Sequence, residues 1–323
     1  RVAIEGTLDA TVHVTSMCRH GGDHAWIGTE IGLVRVAGFR GGEIRAAPPE
    51  NDIGLLARAE IAAVLCTGTD VLWVATRRQG LYRLEGSSVE TFPLPAITGA
   101  DSRRLAAIEA GAAGEIWVGT NSGGIYRIDP NDAARGWTVS GTADDNVRIR
   151  DLLADGSGNV WVTGLGIGLQ RFNPDSGRFT DFGRLPGRED GLPDSDTYSL
   201  YIDRSGVLWV GTLNSGLNNL GLFSGGFERF RAWPGSSNSL SHNMVTTFAE
   251  YDGAIWVGTD GGGLNRFDPV NGSFDVLRHD PMRTGSLPDD RVWALAIDPD
   301  ETLWVGSWGG GLGRRLAGSD SFE

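Results

Sequence analysis

One stretch near the C-terminal end, Ala254-Ile-Trp-Val-Gly-Thr-Asp-Gly-Gly-Gly-Leu-Asn-Arg-Phe-Asp-Pro269, is the clearest of seven copies of one pattern that runs along the whole chain. The copies are anchored on Trp26, Trp73, Trp117, Trp161, Trp209, Trp256 and Trp304, in steps of 47, 44, 44, 48, 47 and 48 residues. A unit of that length carrying four short β-like runs is a propeller blade, since ankyrin, tetratricopeptide and leucine-rich units are shorter and build helical or horseshoe arrays. Seven such units account for all 323 residues, so the expected architecture is all-β, a seven-bladed β-propeller with four antiparallel strands per blade, in a single domain over residues 1–323.

The blade of Val245 to Arg278 shows how the pattern reads locally. Val245–Glu250, Ala254–Thr259, Gly263–Asp268 and Ser273–Arg278 are β-branched and aromatic runs, broken by Asp-Gly and Asn-Gly turns as antiparallel hairpins require. Gly28, Gly119, Gly211, Gly258 and Gly306 follow the tryptophan strand at a place where converging sheets would collide with a side chain. Each repeat tryptophan can bury ~150–250 Å², which at about 25 cal/mol/Å² contributes at most ~4–6 kcal/mol. At the ends, Asp320-Ser-Phe-Glu323 begins a fourth strand in the frame of Ser273-Phe-Asp275, and pairing of residues 1–6 with the seventh blade would close the sheet edge. The competing reading places Arg1–Glu5 in an upstream propeller.

Composition removes several functions. The net charge is −13 and all 28 basic residues are arginine, so neither a P-loop lysine nor a lysine Schiff base exists, and no basic stripe suits nucleic acid. No run of about 20 apolar residues is present, so any membrane link would lie in missing segments. Cys18 and Cys66 sit at matching depths in neighbouring blades and are expected as buried free thiols, a disulfide being open to them only if two inner strands approach within roughly 7 Å.

The pattern Leu-Trp-Val-Gly-Thr…Gly-Gly-Leu-x-Arg-Phe-Asp-Pro, with Asp-x-x-Gly turns before it at Asp203–Gly206 and Asp155–Gly158, resembles the two-component regulator propeller repeat. The resemblance implies a periplasmic, extracytoplasmic sensor module of a bacterial membrane receptor whose output is a histidine kinase or diguanylate cyclase. It departs from the pattern at His24-Ala25, where an apolar residue precedes Trp, and at Val162-Thr-Gly164, where Val-Gly-Thr is usual.

Catalytic signals are sparse. No Gly-x-Ser-x-Gly elbow or His-Glu-x-x-His is found. His20-Gly-Gly-Asp-His24 lies in a turn and reads as solvated polar residues, as do Asp144-Asp145 and Asp289-Asp290 in loops. The chain is therefore expected to have no catalytic residues, metal or cofactor of its own. Loops carry function on a scaffold spent on packing. On the face made by the second-to-third strand hairpins and the blade connections, the candidate ligand-binding residues are Arg77, Arg104, Arg148, Arg150, Tyr198, Asn214, Arg291, Trp293 and Trp308. The residue thirteen before the repeat tryptophan is His13, Glu60, Arg104, Arg148, Asp196 or Arg291 in six blades, which makes a mixed-charge set. Arginine forks and aromatic faces suit an anionic small molecule or a saccharide, with the receptor acting as a homodimer; the plainer reading is that these groups pair with one another. A protein-interaction scaffold is the alternative class, followed by a propeller lyase or glycosidase.

Overall fold

Seven short antiparallel sheets follow one another along the chain, each in simple meander order. The computed structural model describes residues 12–20, 24–37, 45–47, 51–68, 70–86, 88–97, 100–129, 134–138, 147–182, 191–220 and 227–323. Blade one is β1 (Val14–His20), β2 (His24–Thr29), β3 (Gly32–Ala37) and β4 (Arg45–Ala47); blade two is β5 (Ile61–Thr67), β6 (Val71–Thr76), β7 (Leu81–Glu85) and β8 (Ser88–Phe92). Blade three is β9 (Leu105–Ala110), β10 (Ile116–Thr120), β11 (Gly124–Ile128) and β12 (Arg135–Thr138); blade four is β13 (Arg148–Ala154), β14 (Val160–Leu165), β15 (Gly168–Asn173) and β16 (Arg178–Asp181). Blade five is β17 (Thr197–Ile202), β18 (Leu208–Thr212), β19 (Leu217–Leu220) and β20 (Phe227–Phe230); blade six is β21 (Val245–Tyr251), β22 (Ala254–Thr259), β23 (Leu264–Asp268) and β24 (Ser273–Leu277). Blade seven holds β25 (Val292–Ile297), β26 (Leu303–Ser307) and β27 (Gly311–Arg315). The fold is a seven-bladed β-propeller with mostly four-stranded blades.

The chain divides into two compact units, residues 1–92 with 248–323, and residues 93–247. In the first unit, blade one packs on blade two through Trp26, Leu33, Leu56, Ile61 and Tyr82, and blade seven packs on blade one through Trp304, Leu312, Val14 and Val36. In the second, Trp117, Ile149 and Phe172 join blades three and four, and Trp161, Leu192 and Leu208 join four and five. All seven repeat tryptophans are buried, with exposures between 0% and 8%.

In blades four, five and seven the turn before the indole seats it. Asp203 Oδ1 accepts the N–H groups of Ser205 and Val207 at 2.9 Å, and its Oδ2 accepts the Trp209 indole N–H at 2.8 Å. Asp155 holds Trp161 at 3.2 Å and Asp298 holds Trp304 at 3.0 Å in the same way. The carboxylate thus closes a turn and satisfies the one polar group of a buried ring, which otherwise would carry a desolvation cost. Across the sheet the repeat arginine faces the indole: Arg83 lies 5.9 Å from the Trp73 ring and Arg171 5.6 Å from that of Trp161.

The glycine after the tryptophan strand is where blades approach. A Cβ on Gly28 would stand 2.6 Å from Ile61 Cγ2, and one on Gly119 2.7 Å from Ile149 Cγ2. The same holds for Gly211 against Val245 at 2.7 Å and for Gly306 against Val14 at 2.5 Å. Inner strands of consecutive blades are therefore in side-chain-to-backbone contact.

One expectation changes, one is met in part, and one element is new. Cys18 and Cys66 form a disulfide, Cα to Cα 5.7 Å, because β1 and β5 approach within the distance that permits one; the free-thiol reading is corrected. Blade seven has three strands among the described residues, but Arg314 and Glu323 exchange both backbone hydrogen bonds, at 3.1 and 2.9 Å, in the register of Arg266 and Asp275 in blade six. Pairing of residues 1–6 lies outside the described residues. A 3-10 helix, Asn51–Arg58, which the strand patterning does not announce, links blades one and two and buries Leu56.

Candidate functional site

The residues singled out from the sequence come together in five of the blades for a backbone reason. The N–H four residues after the repeat tryptophan donates to the carbonyl thirteen residues before it: Glu30 to His13 at 3.3 Å, Arg77 to Glu60 at 2.9 Å, Asn121 to Arg104 at 2.6 Å, Leu213 to Asp196 at 2.9 Å and Trp308 to Arg291 at 2.9 Å. The start of the inner strand and the second-to-third strand hairpin therefore share one face. Side chains from both segments are neighbours there.

In the first unit that face carries an aromatic seam between blades seven and one. His13 stacks on Trp308 with centroids 3.8 Å apart and planes 21° apart, and Trp293 lies 5.4 Å from Trp308. His13 and Trp308 also form a β-bridge, and His13 Nδ1 lies 2.7 Å from Glu30 Oε2. Unlike the repeat tryptophans, Trp293 and Trp308 are only half-buried. Arg291 is held by Asp289, which accepts its Nε–H at 3.1 Å and its second guanidinium N–H at 3.2 Å. That hydrogen-bonded pairing raises the Arg291 pKa above its ordinary value. Asp289-Asp290 is therefore more than a solvated turn: Asp290 Oδ1 also accepts the His279 N–H at 2.7 Å. Arg77 is exposed, while Arg78 pairs with Glu60 at 3.0 Å.

In the second unit the charge balance differs. Arg104 and Arg148 occupy equivalent positions in blades three and four, both exposed, and among the described residues neither guanidinium has an ion pair. Arg150 lies over the Tyr198 ring at 4.9 Å, in an arrangement that favours a cation on an aromatic face. Asn214 is exposed on its hairpin, whose position is set by its N–H bond to Asp194 Oδ2 at 2.9 Å. Asp196, in the fifth blade's slot, accepts the Gly166 N–H at 2.9 Å.

The nine candidates thus divide. Arg291, Trp293, Trp308 and Arg77 belong to the first unit, and Arg104, Arg148, Arg150, Tyr198 and Asn214 to the second. Sequence reasoning missed Glu30 and Asp194 and read Asp289 as solvated; these acids position His13, the Asn214 hairpin and Arg291. Only the short spacing of Asp289 to Arg291 offered a signal. Residues 21–23 of the His20–His24 turn and the Asp144-Asp145 pair lie outside the described residues; among those described, no three His, Cys, Asp or Glu side chains are grouped to hold a metal.

Residues 191–214 and 286–309 match the family model described as two component regulator propeller. These segments are the entry loop, inner strand and tryptophan strand of blades five and seven. No curated protein sequence matches the chain. Among solved structures, it is similar to the extracellular domain assigned to a hybrid two-component system of B. thetaiotaomicron, at 18% identity and a TM-score of 0.74, over 95% of this chain and 40% of that one. It is also similar to virginiamycin B lyase from Staphylococcus aureus, at 15% identity and a TM-score of 0.68, over 95% of both chains. A third similarity is to PorZ, a surface component of the type-IX secretion system of Porphyromonas gingivalis, at 17% identity and a TM-score of 0.60, over 91% of this chain and 45% of that one. The chain spans about two fifths of the B. thetaiotaomicron structure. Blades five and seven thus each carry a segment that matches the two component regulator propeller model, and the chain shares its fold with these solved structures.

Proposed function

We propose that this propeller is the extracytoplasmic, periplasmic ligand-sensing module of a bacterial signal-transduction receptor, that residues 1–323 form one domain of it, and that it is not itself an enzyme. The observation that carries the ligand reading is the pair of exposed arginines, Arg104 and Arg148, unpaired among the described residues of a chain with 41 acidic side chains. In so acidic a chain, an arginine on a loop face is readily claimed by an internal partner, as Arg291 is by Asp289. Two that are left open in the unit that also holds the Arg150–Tyr198 stack present fork donors to a carboxylate, sulfate or phosphate. An acidic saccharide or a related anionic small molecule is therefore the ligand class of the second unit's face.

Kinship to a sensor structure supports the receptor reading, and the transmembrane and output segments belong to the parts of such a receptor outside this chain. Signalling then needs a ligand that binds one geometry of a receptor homodimer better than another. Calorimetric titration with uronic-acid and sulfated oligosaccharides, beside neutral ones, tests the ligand class. Saturable binding of an acidic saccharide that weakens at least tenfold in Arg104→Ala/Arg148→Ala supports it. Binding confined to neutral sugars, or indifferent to both substitutions, overturns it.

A further inference from the structure

Two acids on the inner strands of the second unit serve no part of the ligand face. Glu109 lies on β9 and Asp151 on β13, both half-buried. Asp151 Oδ1 accepts the N–H of Leu152 at 2.9 Å, and its Oδ2 accepts that of Leu200, on β17 of the next blade, at 2.8 Å. The backbone N–H groups of Ala110 and of Ala154, on β13, favour the charged form of Glu109. Asp151 therefore spans the seam between blades four and five, and Glu109 stands at the seam between blades three and four.

The same register in the first unit is filled by groups that do not ionise in this range. Counted from the repeat tryptophans, Ser16 corresponds to Asp151 and accepts the Val64 N–H at 3.1 Å, while Cys18 and Cys66 correspond to Glu109 and Ala154 and are bonded to each other. The seams between blades three and four and between four and five each have a carboxyl where the seam between blades one and two has a hydroxyl and a disulfide. Among the described residues, no ion pair joins either acid to a base. Glu109 is the sole titratable residue of β9; β13 also carries Arg148, which is exposed, and Arg150, which lies over Tyr198. From β17 come Tyr198 and Tyr201, and β10, β14 and β18 contribute no titratable side chain.

We propose that Glu109 and Asp151 form a proton-binding pair that couples the seams between blades three, four and five to pH. This inference is independent of the ligand reading. Burial raises both acids, Glu109 to about 8 with the Asp151 charge adding to the rise, and Asp151 to about 7 against the pull of its two N–H donors. Near neutrality the pair therefore still holds protons that it gives up as pH rises. The direction of the effect follows from linkage: the folded chain holds protons that ordinary carboxyls, with pKa about 4, have released in the unfolded chain. Their contribution is complete below that value and is lost as pH rises through the folded values. Past about pH 8 two uncompensated charges face each other on neighbouring strands.

The test is a titration of the 13C-labelled chain from pH 4 to 9.5, following side-chain carboxyl carbons and the amide protons of Ala154 and Leu200, beside melting curves of wild type, Glu109→Gln and Asp151→Asn. The expected result is two carboxyls with midpoints above pH 6, tracked by those amides, and a wild-type melting temperature that falls between pH 6 and 9 by several degrees more than in Glu109→Gln. Carboxyls that all titrate below pH 5.5, or a Glu109→Gln melting profile parallel to wild type, overturn the proposal. Should a variant fail to fold, the wild-type titration alone decides.

Discussion

The hydroxyl of Thr197, on the inner strand of blade five, replaces the one that blade four lacks at Gly164. It accepts the Gly164 N–H at 3.0 Å and donates to the Gly168 carbonyl at 2.6 Å. Elsewhere that service comes from the blade's own Thr or Ser, as when Thr29, Thr76, Thr212, Thr259 and Ser307 donate to a hairpin glycine carbonyl at 2.6 to 3.0 Å. Any side chain at Gly164 would meet the Arg148 carbonyl oxygen. The departure of Val162-Thr-Gly164 from the repeat is thus compensated from the neighbouring blade. Thr197→Val should leave a buried N–H and a buried carbonyl unsatisfied and cost about 1–3 kcal/mol, read as a lower urea midpoint with unchanged slope. A midpoint equal to wild type would remove the compensation argument.

That exchange also marks the limit of what the residues alone disclose. Blade count, tryptophan burial and the close approach at Gly28, Gly119, Gly211 and Gly306 were legible, because a repeated unit must bury the same ring and leave the same gap each time. The role of Thr197, the Cys18–Cys66 bond and the Glu109–Asp151 relation were not. Each depends on which residue of one blade lies opposite which residue of the next, a register that position within a single repeat does not specify. On the ligand face, the sequence placed Arg104, Arg148 and Arg291 in the same class; only the carboxylate of Asp289 separates the third from the other two.

Asp203 should be worth more than an ordinary turn residue, since it holds two N–H groups and the Trp209 indole together. Asp203→Ala is expected to destabilise by about 2–3 kcal/mol, the upper end for a group whose removal strands a buried donor. Asp203→Asn, which retains an acceptor, should lose less. Chemical denaturation followed by indole fluorescence separates the two.

Glu301 occupies the place that Gly158 and Gly206 fill in blades four and five, and has φ 60° against their 79°. A non-glycine residue there is strained by ~1–2 kcal/mol. Glu301→Gly should therefore raise the melting temperature, although glycine adds freedom to the unfolded chain and recovers only part of that strain. A melting temperature that falls would show that the Glu301 side chain has a stabilising contact greater than its strain.

The disulfide joins residues 48 apart and constrains the unfolded chain accordingly. On chain-entropy grounds its loss should cost ~4 kcal/mol. The Cys18→Ser/Cys66→Ser variant should unfold at markedly lower denaturant than wild type, and dithiothreitol should lower the wild-type midpoint without affecting the variant. Equal sensitivity of both proteins to dithiothreitol would contradict a bond between these two residues.

The account turns on the loop face of the second unit being an anion site built from the open arginines Arg104 and Arg148, and calorimetric titration reads binding there directly. Acidic and neutral oligosaccharides would be titrated into the wild-type chain and into the Arg104→Ala/Arg148→Ala variant, with melting curves to show that each remains folded. The account predicts saturable binding of an acidic saccharide that is lost in the arginine variant. A response of equal affinity in the wild type and the arginine variant, or no response to any saccharide or small anion, would contradict it.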